Sequence, residues 1–364
     1  LRLGRKAGAV RQKGEPKGKR KLGRGAVIPA VLALAAVLCY DAFLRTVTVT
    51  ESGFAMDAVV TVTVKGNKKD AEAAAKEALE AIQSLEKDEL SRFLESATVY
   101  QANANPGTAV PVSADLNWLL ENGIDLQQKT GNAFDITLGA VSDLWDFNGE
   151  SPQVPDAKAI QALLEQDRSL HIEDDCLTVA AAGALDLGAV GKGMACDVAE
   201  FPRSGSNAVR EAVVSVGGSV LLWGSRDNFK VGIRNPFGAL TEQMGILTTS
   251  ACCVSTSGGY ERFFEQDGVR YHHILDGRTG YPVQNGLASV TILTRSGAMS
   301  DALSTACFVL GYEDSLPLLI EYKADAVFIY EDGGVRVVAC SLRPLSFVIT
   351  DEAFHSMDSG LLGA

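Results

Sequence analysis

Between Met56 and Lys65 the chain alternates apolar and polar residues, MDAVVTVTVK, with the period of two expected of a half-buried strand. From Asp70 the period lengthens. Ala75, Leu79, Ile82 and Leu85 recur at helical spacing, which predicts a helix capped by Asp70 and running to about Leu90. Further helices are predicted from about Asp115 to Lys129, stopped at Gly131, and from Asp156 to Gln166. Short strands then dominate: Leu177 to Ala180, Ala212 to Trp223, Phe229 to Ile233, Val269 to Leu275, Leu287 to Leu293 and Ala326 to Tyr330. Asp267-Gly268 and Asp332-Gly333 read as hairpin turns. Leu44 to Gly53 reads as a linker. Strands and helices mix without strict alternation, so the expected class is α+β, with mixed, largely antiparallel sheets and flanking helices, rather than a doubly wound parallel sheet.

Charge changes the picture at the N-terminus. The chain has 364 residues and a formal net charge of −12, but ten of its 33 basic residues and one of its 45 acids lie between Arg2 and Arg24. The remainder holds 23 basic and 44 acidic residues, a net charge of −21. So acidic a body repels nucleic acid, which excludes a DNA-binding role for the basic run. After Arg24 comes the uncharged stretch GAVIPAVLALAAVLCY, ending at Tyr40. Basic leader and apolar run together read as an export signal or, extended to Leu44, as an uncleaved membrane anchor with its basic end inside. Lipidation at Cys39 and simple cleavage are the alternatives. The expected organisation is a basic cytoplasmic leader (1–24), an anchor or signal segment (25–44), an extracytoplasmic domain (45–345) and a C-terminal tail (346–364).

Seven cysteines show no CxxC pair and no histidine at zinc-site spacing. Most sit in apolar strings such as SACCV and TACFV, and read as small core residues.

Candidate chemistry is concentrated in four glycine-flanked strings. In TGNAFDITLGAVSDLWDF, Asp135 sits among apolar neighbours, and Gly131 and Gly139 allow backbone to approach a ligand; a turn before a buried strand accounts for the same pattern. In LDLGAVGKGMACD, three glycines lead into a helix with Lys192 at its start, which suits a phosphate, although the spacing matches neither the Walker nor the dinucleotide motif. In VSTSGGYERF and YHHILDGRTGYP, three hydroxyls feed a glycine pair, and His273, Asp276, Arg278 and Thr279 crowd one strand-turn unit. Adjacent His272 and His273 face opposite sides of a strand, so at most one meets a given cleft, as an acid or base or as a structural residue. In SDALSTACFVLG, Asp301 and Thr305 lie four residues apart on one helical face, either as hard oxygen ligands for Mg²⁺ or as a cap and a back-bonded hydroxyl.

In combination, TSGGYERF, HHILDGRTGYP and SDALSTA resemble the ApbE-type FAD:protein FMN transferases, in order over about Thr48 to Tyr330. The resemblance implies an FAD site between two lobes. It places the flavin-contacting methionine on Met56 and an aromatic contact on Phe93. The adenine-to-phosphate loop falls on Ala133, Phe134 and Asp135, the acid and base of the glycine-rich loop on Asp186 and Lys192, and a cofactor-lining residue on Leu275. Metal ligands fall on Asp301, Thr305 and Ala189, with Ser304 beside them, and the catalytic base on His273. Asp276 or a nearby hydroxyl would orient that base. Three departures stand out: Gly277 replaces a proline, which is expected to loosen its turn; Gly259 replaces a polar residue; and Pro202, in FPRSGSN, interrupts a helix.

The resemblance implies an Mg²⁺-dependent transfer of the FMN half of FAD to a threonine or serine of a secreted or membrane electron-transfer flavoprotein, such as an FMN-binding subunit of a quinone oxidoreductase, with AMP leaving. A hydrolase releasing FMN and AMP, and a non-catalytic flavin-binding protein, are the competing readings.

Overall fold

The computed structural model describes residues 45–357 except 148, 150, 200, 202–208, 333 and 341–345, together with residues 29 and 31–34. The segment expected as an anchor, Cys39 and the stretch from Pro202 to Asn207 therefore lie largely or wholly outside the described residues. No helix among the described residues is long and apolar enough to cross a membrane.

The body opens with a hairpin of β1 (Thr46–Ala55) and β2 (Ala58–Asn67), followed by α1 (Lys68–Leu85) and a π-helical turn at Glu86–Leu90. Next come α2 (Thr98–Ala104), β3 (Val110–Pro111), α3 (Ala114–Lys129), α4 (Gly139–Trp145) and α5 (Ala157–Leu164). The hairpin β4 (Leu170–Glu173) and β5 (Cys176–Val179) leads to α6 (Gly191–Asp197). A run of strands follows: β6 (Val209–Val216), β7 (Ser219–Gly224), β8 (Phe229–Arg234), β9 (Gln243–Thr249), β10 (Cys252–Gly258), β11 (Phe263–Gln266), β12 (Val269–His272) and β13 (Leu287–Thr294). The chain closes with α7 (Gly297–Leu310), α8 (Tyr312–Tyr322), β14 (Asp325–Asp332), β15 (Val335–Cys340), β16 (Ser346–Ile349) and β17 (Phe354–Ser356).

A nine-stranded sheet in the order β1-β2-β6-β7-β10-β13-β14-β15-β17 forms the centre, and every pair in it is antiparallel except β15 with β17. On one face it packs α1, α6, α7 and α8 around Val60, Val62, Val64, Val290, Ile292 and Phe328. On the other it meets the small sheet β16-β9-β8 through Leu222, Val254, Leu293, Val327, Ile329, Ile233 and Leu247. β13 is covered on both faces and nearly all of it is buried, Ser289 and Thr291 included, whereas in β2, near the sheet's margin, buried and half-buried positions alternate. A third cluster, around Trp145, Ile160 and Leu275, binds α4, α5 and the β11–β12 hairpin into a smaller lobe. The α+β class is as expected.

Several boundaries differ from the pattern reading. Most of Leu44 to Gly53, expected as linker, belongs to β1, which pairs along its whole length with β2, and Val47 and Val49 pack against the helical core. Met56 lies in the turn rather than the strand, with Met56 and Asp57 at φ 54° and 55°. Asn67, not Asp70, caps α1, its side chain accepting the Asp70 N–H at 3.1 Å. Ala212 to Trp223 is two strands, reversed at Gly217, whose φ is +54°. The last hairpin turns one residue later than expected, since Asp332 already pairs with Val335. Within 346–364, set off as a tail, β16 pairs with β9 and β17 with β15. All six described cysteines are free.

Candidate active site

A cavity of about 1140 Å³ opens between the central sheet with its helices and the smaller lobe. Met56 reaches it from the β1–β2 turn, Lys192 from the start of α6, Thr256 and Ser257 from the end of β10, and Asp301 and Thr305 from α7. These elements meet because α6 and α7 cross glycine on glycine. A Cβ on Gly193 would stand 2.0 Å from the Gly297 carbonyl oxygen, and one on Gly297 2.2 Å from that of Gly193. No larger residue fits at either crossing point.

The crossing fixes the proposed metal ligands. Asp301 is 3% exposed, and its Oδ2 accepts the Gly193 N–H at 2.9 Å. Burial pushes its carboxyl above the usual range, and Lys192 partly opposes that shift. Thr305 Oγ1 lies 3.0 Å from Ser257 Oγ, which is 2.7 Å from Ser304 Oγ, and Ser304 donates to the Asp301 carbonyl at 2.8 Å. Ser304 is fully buried and supports the site through these bonds without lining the cavity. Ala189 lines the cavity beside Lys192, whose Nζ donates to the Gly188 carbonyl at 3.1 Å. No group of three or more His, Cys, Asp or Glu side chains could hold a metal among the described residues. A buried carboxylate, a hydroxyl and a loop carbonyl are nonetheless hard oxygen donors that fit Mg²⁺, an ion that keeps several waters rather than demanding an all-protein cage.

The two histidines divide as the strand period requires. His272 is buried against Phe308, its Nε2 2.9 Å from the Val283 carbonyl oxygen. His273 faces the cavity, and its Nδ1 lies 3.3 Å from the Arg262 carbonyl oxygen. A carbonyl can only accept, so this contact places the proton on Nδ1 and leaves the Nε2 lone pair free. Desolvation first, then the charges of Lys192 and Arg262, push the His273 pKa down to about 3, so the ring is neutral. Asp276 does not orient it. Its carboxylate instead holds Arg278, at 2.8 Å to Nε and 2.6 Å to Nη2, and does not line the cavity. The contact with the ring expected of Asp276 is thus made by a main-chain oxygen, and Asp276 shapes the turn.

That turn is tight. Gly277 donates to the Ala133 carbonyl at 3.0 Å, and a Cβ there would stand 2.2 Å from the Asn132 oxygen. The expected loosening is absent because the missing side chain lets the turn press onto the 132–135 loop. Gly259 similarly makes room for the His272 ring, 2.9 Å from where its Cβ would lie.

On the other side of the cavity, Phe93 is 68% exposed and Phe134, Asp135, Asp186 and Leu275 contribute to the lining, whereas Ala133 is buried behind them. Asp135 accepts Thr137 Oγ1 at 2.6 Å and Arg168 at 2.7 Å. Arg92 donates to Asp186 at 3.0 Å, to Asp143 at 2.6 Å and to the Gly139 carbonyl at 3.3 Å, tying the glycine-rich loop to α4. Arg92 and Arg262 escaped the sequence reading, and Ser257 was given no role of its own. Ser257 lay within a string already singled out, but a single arginine before an aromatic residue carries no signal of what it will clasp.

The family model described as the ApbE family matches residues 56–328. The FAD:protein FMN transferase of Treponema pallidum is 38% identical over 274 residues, covering 69% of this chain and 75% of that protein. One from Klebsiella pneumoniae is 32% identical, covering 68% and 79%. Among solved structures, the flavinyl transferase ApbE of Pseudomonas stutzeri, in its apo form, superposes with a TM-score of 0.70 at 30% identity, covering 82% of this chain and 96% of that one. The ApbE protein of Thermotoga maritima gives 0.70 at 29%, covering 80% and 96%. The matched span contains every residue that builds the cavity, and this chain belongs to the ApbE family and is a transferase.

Proposed function

We propose that this protein transfers the FMN moiety of FAD to a threonine or serine hydroxyl of an acceptor flavoprotein, with release of AMP and with a requirement for Mg²⁺. The observation that carries this reading is the convergence of His273, Lys192, Asp301 and Thr305 on one cavity large enough for a dinucleotide. Phe93, Phe134, Asp135, Asp186 and Leu275 would hold the nucleotide. Lys192 would neutralise the pyrophosphate. Asp301, Thr305 and the Ala189 carbonyl would hold Mg²⁺, which supplies charge neutralisation at the phosphoryl oxygens.

The acceptor hydroxyl attacks the phosphorus on the FMN side and its proton passes to His273 Nε2. The bond from that phosphorus to the bridging oxygen breaks, and AMP leaves with the oxygen. A base whose pKa lies near 3 is weak, but two of the causes are cationic neighbours. Desolvation, the largest cause, persists with substrate bound, but a pyrophosphate would offset Lys192 and Arg262 and so remove the part of the depression that they contribute.

Incubating the protein with FAD, Mg²⁺ and a recombinant FMN-binding domain should give an acceptor band with in-gel flavin fluorescence, and stoichiometric AMP. FMN and AMP without a labelled acceptor would instead identify a hydrolase.

We propose further that the body after Leu44 lies outside the cytoplasmic membrane, held by the 25–44 segment, because the basic run precedes the apolar one. Protease added to intact spheroplasts should digest it. Digestion only after lysis would reject this location.

A further inference from the structure

Arg234 lines the cavity yet has no place in the nucleotide scheme above. It is the last residue of β8, and the register of β8 against β9 slips between Ile233 and Arg234. Such a bulge re-aims a side chain. Ile233 is buried in the core between the sheets, while the Arg234 guanidinium lies over the Tyr260 ring, 4.5 Å from its centroid. Its Nε is buried without a hydrogen-bond partner, and among the described residues no carboxylate pairs with the guanidinium. A buried, unpaired donor of this kind costs stability unless something supplies an oxygen.

The position of Tyr260 identifies what would supply it. Three residues before it, Ser257 touches Thr305, and two residues after it the Arg262 carbonyl holds His273. Tyr260 therefore sits in the segment that joins the two halves of the reaction centre, and Arg234 is stacked upon it. The nucleotide contacts come from other segments, around Phe93, Asp135 and Asp186, and Lys192 already supplies a cation for the pyrophosphate. The cavity lining also includes two exposed apolar residues, Leu240, 77% exposed, and Val59, 65% exposed, which the fold leaves uncovered.

We infer that Arg234, positioned by Tyr260, is a binding residue for the acceptor polypeptide: its guanidinium donates to a carbonyl or carboxylate oxygen flanking the reactive hydroxyl, and Leu240 and Val59 receive an adjoining apolar side chain. A protein substrate must bring its hydroxyl to His273 Nε2 and lay the rest of its chain against whatever borders that ring. This inference rests on the transfer reading above.

The test uses the full chain, FAD, Mg²⁺ and a recombinant FMN-binding domain with one acceptor threonine. Since a hydrogen bond to a charged group contributes about 1.5–3 kcal/mol, Arg234→Ala should raise the KM for the acceptor roughly tenfold or more. The Kd for FAD, read by flavin fluorescence, should stay within about twofold of the parent. Arg234→Lys, which keeps the charge but not the planar fork, should fall between them. Tyr260→Leu should also raise the acceptor KM by releasing the stacked guanidinium, and it serves if Arg234→Ala melts early. An unchanged acceptor KM in folded variants overturns the inference. So does weakened FAD binding at constant acceptor KM, which would assign Arg234 to a phosphate of the nucleotide. If the parent forms AMP but labels no acceptor, the transfer reading itself fails.

Discussion

Asp301 accepts the backbone N–H of Gly193 at 2.9 Å, and so a residue proposed for the metal is also a brace between two helices. The brace is reciprocated. Asp197, at the other end of α6, accepts the N–H groups of Gly297 and Ala298 at 2.6 and 2.9 Å, capping the helix that carries Asp301. Each helix satisfies the orphan donors at the other's first turn.

This double duty separates two substitutions at Asp301. Asp301→Ala strands a buried N–H and should cost about 1–3 kcal/mol of stability besides abolishing turnover. Asp301→Asn keeps an oxygen for Gly193 and should abolish turnover alone. Because the folded-state pKa of Asp301 is raised, its ionisation works against folding as pH rises above about 3.8, the ordinary value for an aspartate. Asp301→Asn should therefore melt no lower than the parent in chelator at pH 7. Mg²⁺ should raise the Tm of the parent, by up to about 2.7 kcal/mol of stabilisation at a hundredfold excess over Kd, and should do nothing for the variant. Calorimetry with and without chelator checks both.

At the histidines, rate and stability should part. His273→Asn should slow single-turnover transfer by roughly 10² to 10⁴ while FAD affinity holds. His272→Asn should disturb the rate far less but lower the Tm, since its ring packs on Phe308 and bonds the Val283 carbonyl. Equal, mild rate effects at both would mean that another group takes the proton.

The same pair predicts an acid limb in stability. Both histidines have depressed pKa values, so the unfolded chain binds protons more readily than the native one below about pH 6.5. Stability should be full above that pH and fall as pH drops towards about 3, the folded-state value of His273. In denaturant titrations, the double variant with both histidines changed to Asn should show a shallower decline. A slope identical to the parent would place the proton uptake elsewhere.

The glycine crossing should tolerate nothing larger. Gly193→Ala forces a methyl group into the Gly297 carbonyl and should destabilise by about 1–3 kcal/mol or more, with loss of the Mg²⁺-dependent rise in Tm. Gly107→Ala, where no atom lies within 4 Å of the added Cβ but φ is +76°, should cost only backbone strain and leave the Mg²⁺ response intact. Thermal melts of the two variants, with and without Mg²⁺, make the comparison.

By itself the sequence determined what depends on local pattern and on strings of unusual composition. The period-two run after Met56, the helical stripe from Ala75 to Leu85 and the Asp267-Gly268 turn were legible because strand, helix and hairpin chemistry act over a few residues. The spacing of His273, Asp301, Thr305 and Lys192 left structural readings open, and it was the family resemblance of their strings that gathered them into one candidate site, whose cavity they all line. The tertiary structure alone decided the partners. Nothing local distinguishes Asp276, held by Arg278, from the Arg262 carbonyl as the group that orients His273. Nor does any local pattern show that residues 46–55 complete the sheet, that Arg92 clasps Asp186, or that a bulge turns Arg234 onto Tyr260. The contacts of Arg262 with His273 and of Arg92 with Asp186 join residues 11 and 94 positions apart. They are set by the packing of whole elements, so they exist only once the chain has closed on itself.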